Sequence, residues 1–219
     1  MNRLHLALAG LLTLSAPAWA QEEPAPPEGA PPVAAPARCP VNPFAEAQVG
    51  DWGVSLSSRT GEGREERYLV SFRVVEVDDE WVTIASRHVA LGGGREDVER
   101  KRRFKRREAP PLGFLVSEEP PPAEEVAVEA AQLDPGDGQP RACHKVGFSL
   151  PGPGSDRMQV QLWMAGEAKP LGLLRAEVTF DGIRMENRAL GWGTAEGKSW
   201  GQTLEEAKAA LAGAPPAKD

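Results

Sequence analysis

Residues 67–77, RYLVSFRVVEV, followed by the turn-forming 78–80, DDE, and then residues 81–89, WVTIASRHV, decide the fold class. Tyr68, Val70, Phe72 and Val74 alternate with Leu69, Ser71, Arg73 and Val75. A period of two, rich in β-branched and aromatic residues, is the signature of a strand with two unlike faces. Asp78, Asp79 and Glu80 break the pattern with residues that suit a turn, so the stretch predicts an antiparallel hairpin. Outward from it, residues 52–58, 141–150, 158–164, 173–180 and 183–190 have strand character. Gly61, Gly63, Gly92, Gly93, Gly94, Pro151, Gly152 and Asp181-Gly182 punctuate them. Strands joined by short turns, without alternating helices, argue against a parallel α/β sheet.

One helix is expected. Thr203 caps residues 204–212, Glu206 completes a capping box, Gly213 stops the run, and Leu204, Ala207 and Leu211 share a stripe. The fold expected is therefore mainly β, a curved antiparallel sheet or half-barrel with one C-terminal helix. The 219 residues divide into a leader at 1–20, a Pro/Ala-rich disordered tether at 21–38, a single β-rich domain at 39–213 and a disordered tail at 214–219.

The leader carries Arg3, an apolar run over residues 4–14 and Ala18-x-Ala20, the pattern of a cleaved secretory signal. The run is shorter than the roughly 20 residues that cross a bilayer, and no later segment is apolar enough to do so. A periplasmic or secreted location follows. Residues 21–40 hold seven prolines and five alanines with few bulky apolar side chains, a composition that stays extended. The net charge of -7 argues against a nucleic-acid partner.

Cys39 and Cys143 are the only cysteines, and in an oxidising compartment an even pair is most simply a disulfide. Closing so long a loop would contribute on the order of 4–5 kcal/mol. Cys39, Cys143 and His144 lack the spacing of a metal site, so none is assigned. The leader takes His5 with it, leaving His88 and His144 without an acidic partner at catalytic spacing, and no Ser sits in a GxSxG elbow. No catalytic residue and no cofactor are assigned; the expectation is not an enzyme.

Two groups remain as candidate contacts. Trp52, Trp81 and Trp163 either line a pocket or belong to the core. Residues 100–107, RKRRFKRR, put seven cations in eight positions; Arg102, Arg103, Arg106 and Arg107 either hold an anionic partner or guard an edge strand, with Glu118, Glu119, Glu124, Glu125 and Glu129 as neutralising acids.

Asn42-Pro43-Phe44 leading to Val49-Gly50-Asp51-Trp52, then Gln161-Leu162-Trp163-Met164 before Pro170-Leu171-Gly172-Leu173-Leu174, and the strand from Met185 to Gly191, resemble a group of small exported bacterial β-rich proteins. These share a VGDW opening, a later-strand cysteine where Cys143 stands, and a tryptophan strand followed by a PLGLL turn. Their strand pattern is similar to the half-barrels of LolA-like lipoprotein carriers, whose curved sheet wraps a helix around an apolar cavity. The resemblance implies an envelope binding module for a hydrophobic or lipid-like ligand, held between the sheet and the helix over Leu204 to Leu211. The alternative is a structural or protein-interaction module with a filled core and an envelope component as partner.

Overall fold

The computed structural model describes residues 37–61, 63–91, 99–114, 121, 125–152 and 157–194. The leader at 1–20, the tether up to residue 36, and the helix expected over 204–212 lie outside them. Nine strands follow one another: β1 (Trp52–Gly61), β2 (Arg64–Val77), β3 (Trp81–Ala90), β4 (Arg100–Lys105), β5 (Ala127–Leu133), β6 (Arg141–Pro151), β7 (Arg157–Met164), β8 (Leu173–Phe180) and β9 (Ile183–Gly193). They form one open antiparallel sheet in the order β4-β3-β2-β1-β9-β8-β7-β6-β5. Among the described residues there is no α-helix, and no helix long and apolar enough to cross a membrane.

The turns have visible local causes. Between β2 and β3, Asp78 Oδ1 accepts the backbone N–H groups of Glu80 at 2.9 Å and Trp81 at 2.6 Å. Between β8 and β9, Phe180 pairs with Ile183 across Asp181 (φ 46°) and Gly182 (φ 68°), so the two central residues take the left-handed conformations that fit a two-residue hairpin. The pairing of β1 with β9 skips Leu190, that of β2 with β3 skips Val75, and that of β7 with β8 skips Leu174. Each extra residue bends its strand and re-aims the side chains beside it.

Register assigns the faces. Val70, Phe72 and Val74 of β2 stand beside His88, Ser86 and Ile84 of β3, and Ile84 and Val82 stand beside Arg102 and Phe104 of β4. On the other half, Val146 and Phe148 of β6 stand beside Leu162 and Val160 of β7, which stand beside Ala176 and Val178 of β8. These side chains, with Leu150, Met164, Phe180, Ile183 and Met185, make the main apolar cluster, and the side on which they lie is called inner here. Burying each large apolar side chain stabilises the fold by about 1.5–3 kcal/mol.

The inner layer is closed by the chain itself. Phe44 (0% exposed), Leu112 (1%) and Phe114 (6%) enter it from the segments before β1 and after β4, together with Ala37 and Cys39. Phe44 stacks on Phe104 with ring centroids 4.8 Å apart, and Phe114 meets both rings edge-on at 6.2 and 5.6 Å. Asn42 aims Phe44 inward: its Oδ1 accepts the Phe44 N–H at 3.1 Å while its Nδ2 donates to the Arg106 carbonyl at 3.0 Å. The two closing segments are sewn together by N–H donation from Cys39 to the Pro110 carbonyl and from Leu112 to the Ala37 carbonyl. Ala37 and Arg38, assigned to the tether by composition, are thus part of the folded unit. Arg38 also pairs with Glu108 at 3.2 Å.

Candidate functional site

The Cys39–Cys143 disulfide expected from cysteine count is absent: both thiols are free and both are buried. Cys39 lies in the inner cluster, whereas Cys143 has the opposite parity to Val146, Phe148 and Leu150 along β6 and packs with Ala165, Ala168 and Leu174 in a separate cluster. The two sulfurs therefore belong to different layers, which also separates the trio of Cys39, Cys143 and His144. Burial pushes the Cys39 thiol up to about 12, and burial raises that of Cys143 as well. Neither is a thiolate at neutral pH, so neither has the form that attacks substrates or binds metals. Among the described residues no three His, Cys, Asp or Glu side chains are grouped as metal ligands. His88 of β3 and His144 of β6 have five strands between them.

The three tryptophans offered as ligand aromatics do not line the inner face. Trp81 precedes the inward Val82, Trp163 lies between the inward Leu162 and Met164, and Trp52 stands beside Arg73 rather than Phe72. All three are on the outer face. Trp52 is buried there with Val54 and Leu69, so the core reading applies to it. Trp81 and Trp163 are half-buried and carry cations: Arg103 sits 5.0 Å from the Trp81 ring, and Lys145 and Arg175 sit 5.8 and 5.3 Å from that of Trp163. Trp163 is one link in a row of directly paired residues, Glu129, Lys145, Trp163, Arg175 and Arg188, that crosses β5, β6, β7, β8 and β9. Lys145 pairs with Glu129 at 3.1 Å, and Arg175 with Glu177 at 2.5 Å and Glu186 at 3.1 Å. One cation of the protein's own thus lies over the Trp81 ring and two over that of Trp163, where they compete with any ligand that would stack there.

The basic run is split by alternation. Arg100, Arg102 and Phe104 are half-buried on the inner side, while Lys101, Arg103 and Lys105 are exposed on the outer side of β4, which ends the sheet. Arg102 donates to the Phe114 carbonyl at 3.1 Å and lies over the Phe104 ring, and Arg106 donates to the Asp78 carbonyl at 3.2 Å. Those two hold the closing loop. Arg103, 59% exposed in its side chain, reaches Asp78 at 3.1 Å, and Lys105, 52% exposed, reaches Glu108 at 3.1 Å. Arg107 is exposed. Backbone N–H groups of Glu80 and Trp81, helped by Arg103, hold the Asp78 carboxyl below its usual range, and Lys105 with Arg38 does the same to Glu108. Among the described residues, Asp78 and Glu108 neutralise the outer side of this run. Of those expected from the sequence, Glu125 pairs with Arg157 and Glu129 with Lys145, while Glu118, Glu119 and Glu124 lie outside the described residues.

The VGDW and PLGLL stretches, far apart in the chain, meet at the rim beside β1. Asp51 is fully buried; its Oδ2 accepts the Gln48 N–H at 2.9 Å and stands 3.6 Å from Lys169 Nζ, which also donates to the Glu46 carbonyl at 3.3 Å. Gly50 (φ 94°) donates to the Val74 carbonyl, and Val74 donates back to that of Asp51. A Cβ on Gly53 would stand 2.5 Å from the Lys169 carbonyl oxygen, and one on Gly172 (φ 68°) would stand 3.1 Å from Pro43. Glycine at both places lets the turn before β8 seat on the segment before β1. These motifs fasten the inner closure, a role their spacing alone did not disclose.

No family model matches the chain, and no curated protein matches it. Among solved structures it is similar to a domain from Vibrio parahaemolyticus named for outer membrane lipoprotein sorting, at 10% identity and a TM-score of 0.27, over 75% of this chain and 93% of that one. At that identity and overlap, the named role remains that protein's own.

Proposed function

We propose that this chain is a non-catalytic interaction module of the bacterial cell envelope, with a filled core, that holds an acidic envelope component along the outer side of its basic edge strand β4. The observation that carries this reading is the burial of the inner layer. An empty lipid-sized cavity, roughly 300 Å³ or more, leaves its lining open to water. Val146, Val160, Leu162, Met164 and Phe44 retain at most 2% of their surface. A lipid-like ligand would have to displace Phe44, Leu112 and Phe114 first, which supports the filled reading over the carrier one. The buried, protonated thiols and the wide separation of the two histidines favour binding over catalysis. The envelope location rests on the leader pattern at residues 1–20.

Lys101, Arg103, Lys105 and Arg107 are all exposed, and among the described residues Arg103 reaches Asp78 and Lys105 reaches Glu108. The test replaces all four with glutamine, leaving Arg102 and Arg106 in place because they hold the fold. Retention of the protein in a washed envelope fraction should fall about ten-fold, with the wild type released by added salt. Unchanged retention by the quadruple variant overturns the proposal.

A further inference from the structure

The two ends of the sheet differ in how they are guarded. Arg100, Lys101, Arg102, Arg103 and Lys105 fill all but one position of β4, and an edge so charged resists pairing with another strand. The sequence of β5, AVEAAQL, has one charged residue, Glu129, and no proline, and its pairing with β6 runs from Ala127 to Leu133 without a bulge. Among the described residues no strand pairs with its other side. Ala127, Val128, Glu129, Ala130 and Gln132 are exposed, and Val128, at 52%, ends the inner row that runs through Val146, Leu162 and Ala176. A regular, weakly charged edge is a template for one more strand.

We propose that β5 pairs antiparallel with β5 of a second copy of this chain, about a two-fold axis at Ala130, so that two sheets join edge to edge. The strand matches itself. With Ala130 opposite Ala130 of the second copy, every residue from Ala127 to Leu133 finds a partner: Ala127 meets Leu133, Val128 meets Gln132 and Glu129 meets Ala131. No like charges then stand directly opposite, and small side chains meet at the axis; a register centred on Glu129 would set two carboxylates against each other. Charge selects this place as well. At a net charge of -7, copies of the chain repel one another in general. Beside β5 the charges are balanced within each copy: Glu129 by Lys145 at 3.1 Å, Glu125 by Arg157 at 2.7 Å, and Asp137 and Glu167 by Arg141 at 2.5 and 3.5 Å. A contact of this length falls below the roughly 1,200 Å² of a standard interface, so the pairing is weak and follows concentration. It lies at the far end of the sheet from β4 and does not depend on what β4 holds.

The test is sedimentation of the full chain between about 5 and about 500 μM, over which the mean mass should rise from one chain towards two. Ala130→Lys and Ala130→Glu each set like charges against one another at the axis, and each should need about five-fold more protein to reach the same mean mass. Mixed in equal amounts, the two variants should regain the wild-type curve, because a lysine then faces a glutamate. A wild type that stays at one chain throughout, variants that associate as well as wild type, or a mixture no better than its components overturns the proposal. Ala130 is exposed, so both variants should keep the wild-type circular dichroism. Amide exchange tests the same strand without substitution: in the wild type, the N–H groups of Ala127–Leu133 that point away from β6 should exchange about three-fold more slowly at the high concentration than at the low one. Slow exchange at both concentrations would mean that the chain covers this edge itself, and fast exchange at both that nothing does; either result overturns the proposal.

Discussion

The six phenylalanines and the four described tryptophans have parted company. Phe44, Phe72, Phe104, Phe114, Phe148 and Phe180 all belong to the inner cluster, whereas Trp52, Trp81, Trp163 and Trp192 all stay out of it. A phenyl ring brings no polar atom and can be dried completely; an indole brings an N–H that must be satisfied and a π-face that attracts cations. The inner layer is accordingly dry and aromatic, while Arg103, Lys145, Arg175 and Arg141 sit on three of the tryptophans. Trp52 is the strained case, with its Nε1 buried and unpartnered. The comparison explains why a sheet with aromatic residues on both faces need not be a ligand carrier. Its phenylalanines pack against one another, and most of its tryptophans are taken by its own cations.

The contrast can be broken most severely at Phe44. Phe44→Ala removes the centre of the three-ring group and should cost about 3–5 kcal/mol in urea unfolding, with a gain of binding to an apolar fluorescent dye as the inner face opens. A loss below 1 kcal/mol would mean that the closing segment does not fill the layer. Phe148→Trp forces an indole into the dry layer and should cost about 2–3 kcal/mol, through overpacking and an unsatisfied N–H; a neutral result would show room that the packing denies.

The inner thiol sharpens the same point through pH. With Cys39 at about 12 in the fold against 9.0 for an unburied thiol, its contribution is fully present below pH 9. As pH rises from 9 towards 12 the unfolded chain loses the proton first, and stability falls by up to about 1.4 kcal/mol per pH unit from this group. Cys39→Ala should flatten the stability profile between those values relative to wild type; parallel profiles would place the thiol in water. The smallest effect is expected on the outer side. Trp163→Phe keeps an aromatic ring with a weaker π-face between Lys145 and Arg175 and should cost about 0.5–1 kcal/mol, diminishing with salt. A cost as large as that of Phe44→Ala would erase the distinction between the faces.

Most of the sheet was legible because half-buried strands alternate: β2, β3, β6, β7, β8 and β9 each carry the period in their side chains. The charged run was legible as an edge strand for the same reason, since Arg100, Arg102 and Phe104 alternate with Lys101, Arg103 and Lys105. β5 was not. Its sequence, AVEAAQL, favours helix by propensity, and as the other edge it buries too little for a pattern to be imposed. Parity also held an unused signal: Trp81 and Trp163 fall out of step with Val82, Ile84, Leu162 and Met164, which already placed them opposite the core. Cys39 offered no such signal, because it precedes β1 in an irregular segment with no period to read. Nor could spacing show that Asp51 and Lys169 meet, since that contact depends on β1 and the turn before β8 being brought together by the strand order.

The most direct test of the account is native mass spectrometry of the protein purified gently, without denaturant or detergent, from cells that express the full chain. A chain occupied by its own Phe44, Leu112 and Phe114 should appear at the mass of the polypeptide alone, and should take up no fatty-acid probe added before ionisation. A stoichiometric lipid-sized adduct that leaves only on unfolding would contradict it, and would return the inner face to the role of a carrier.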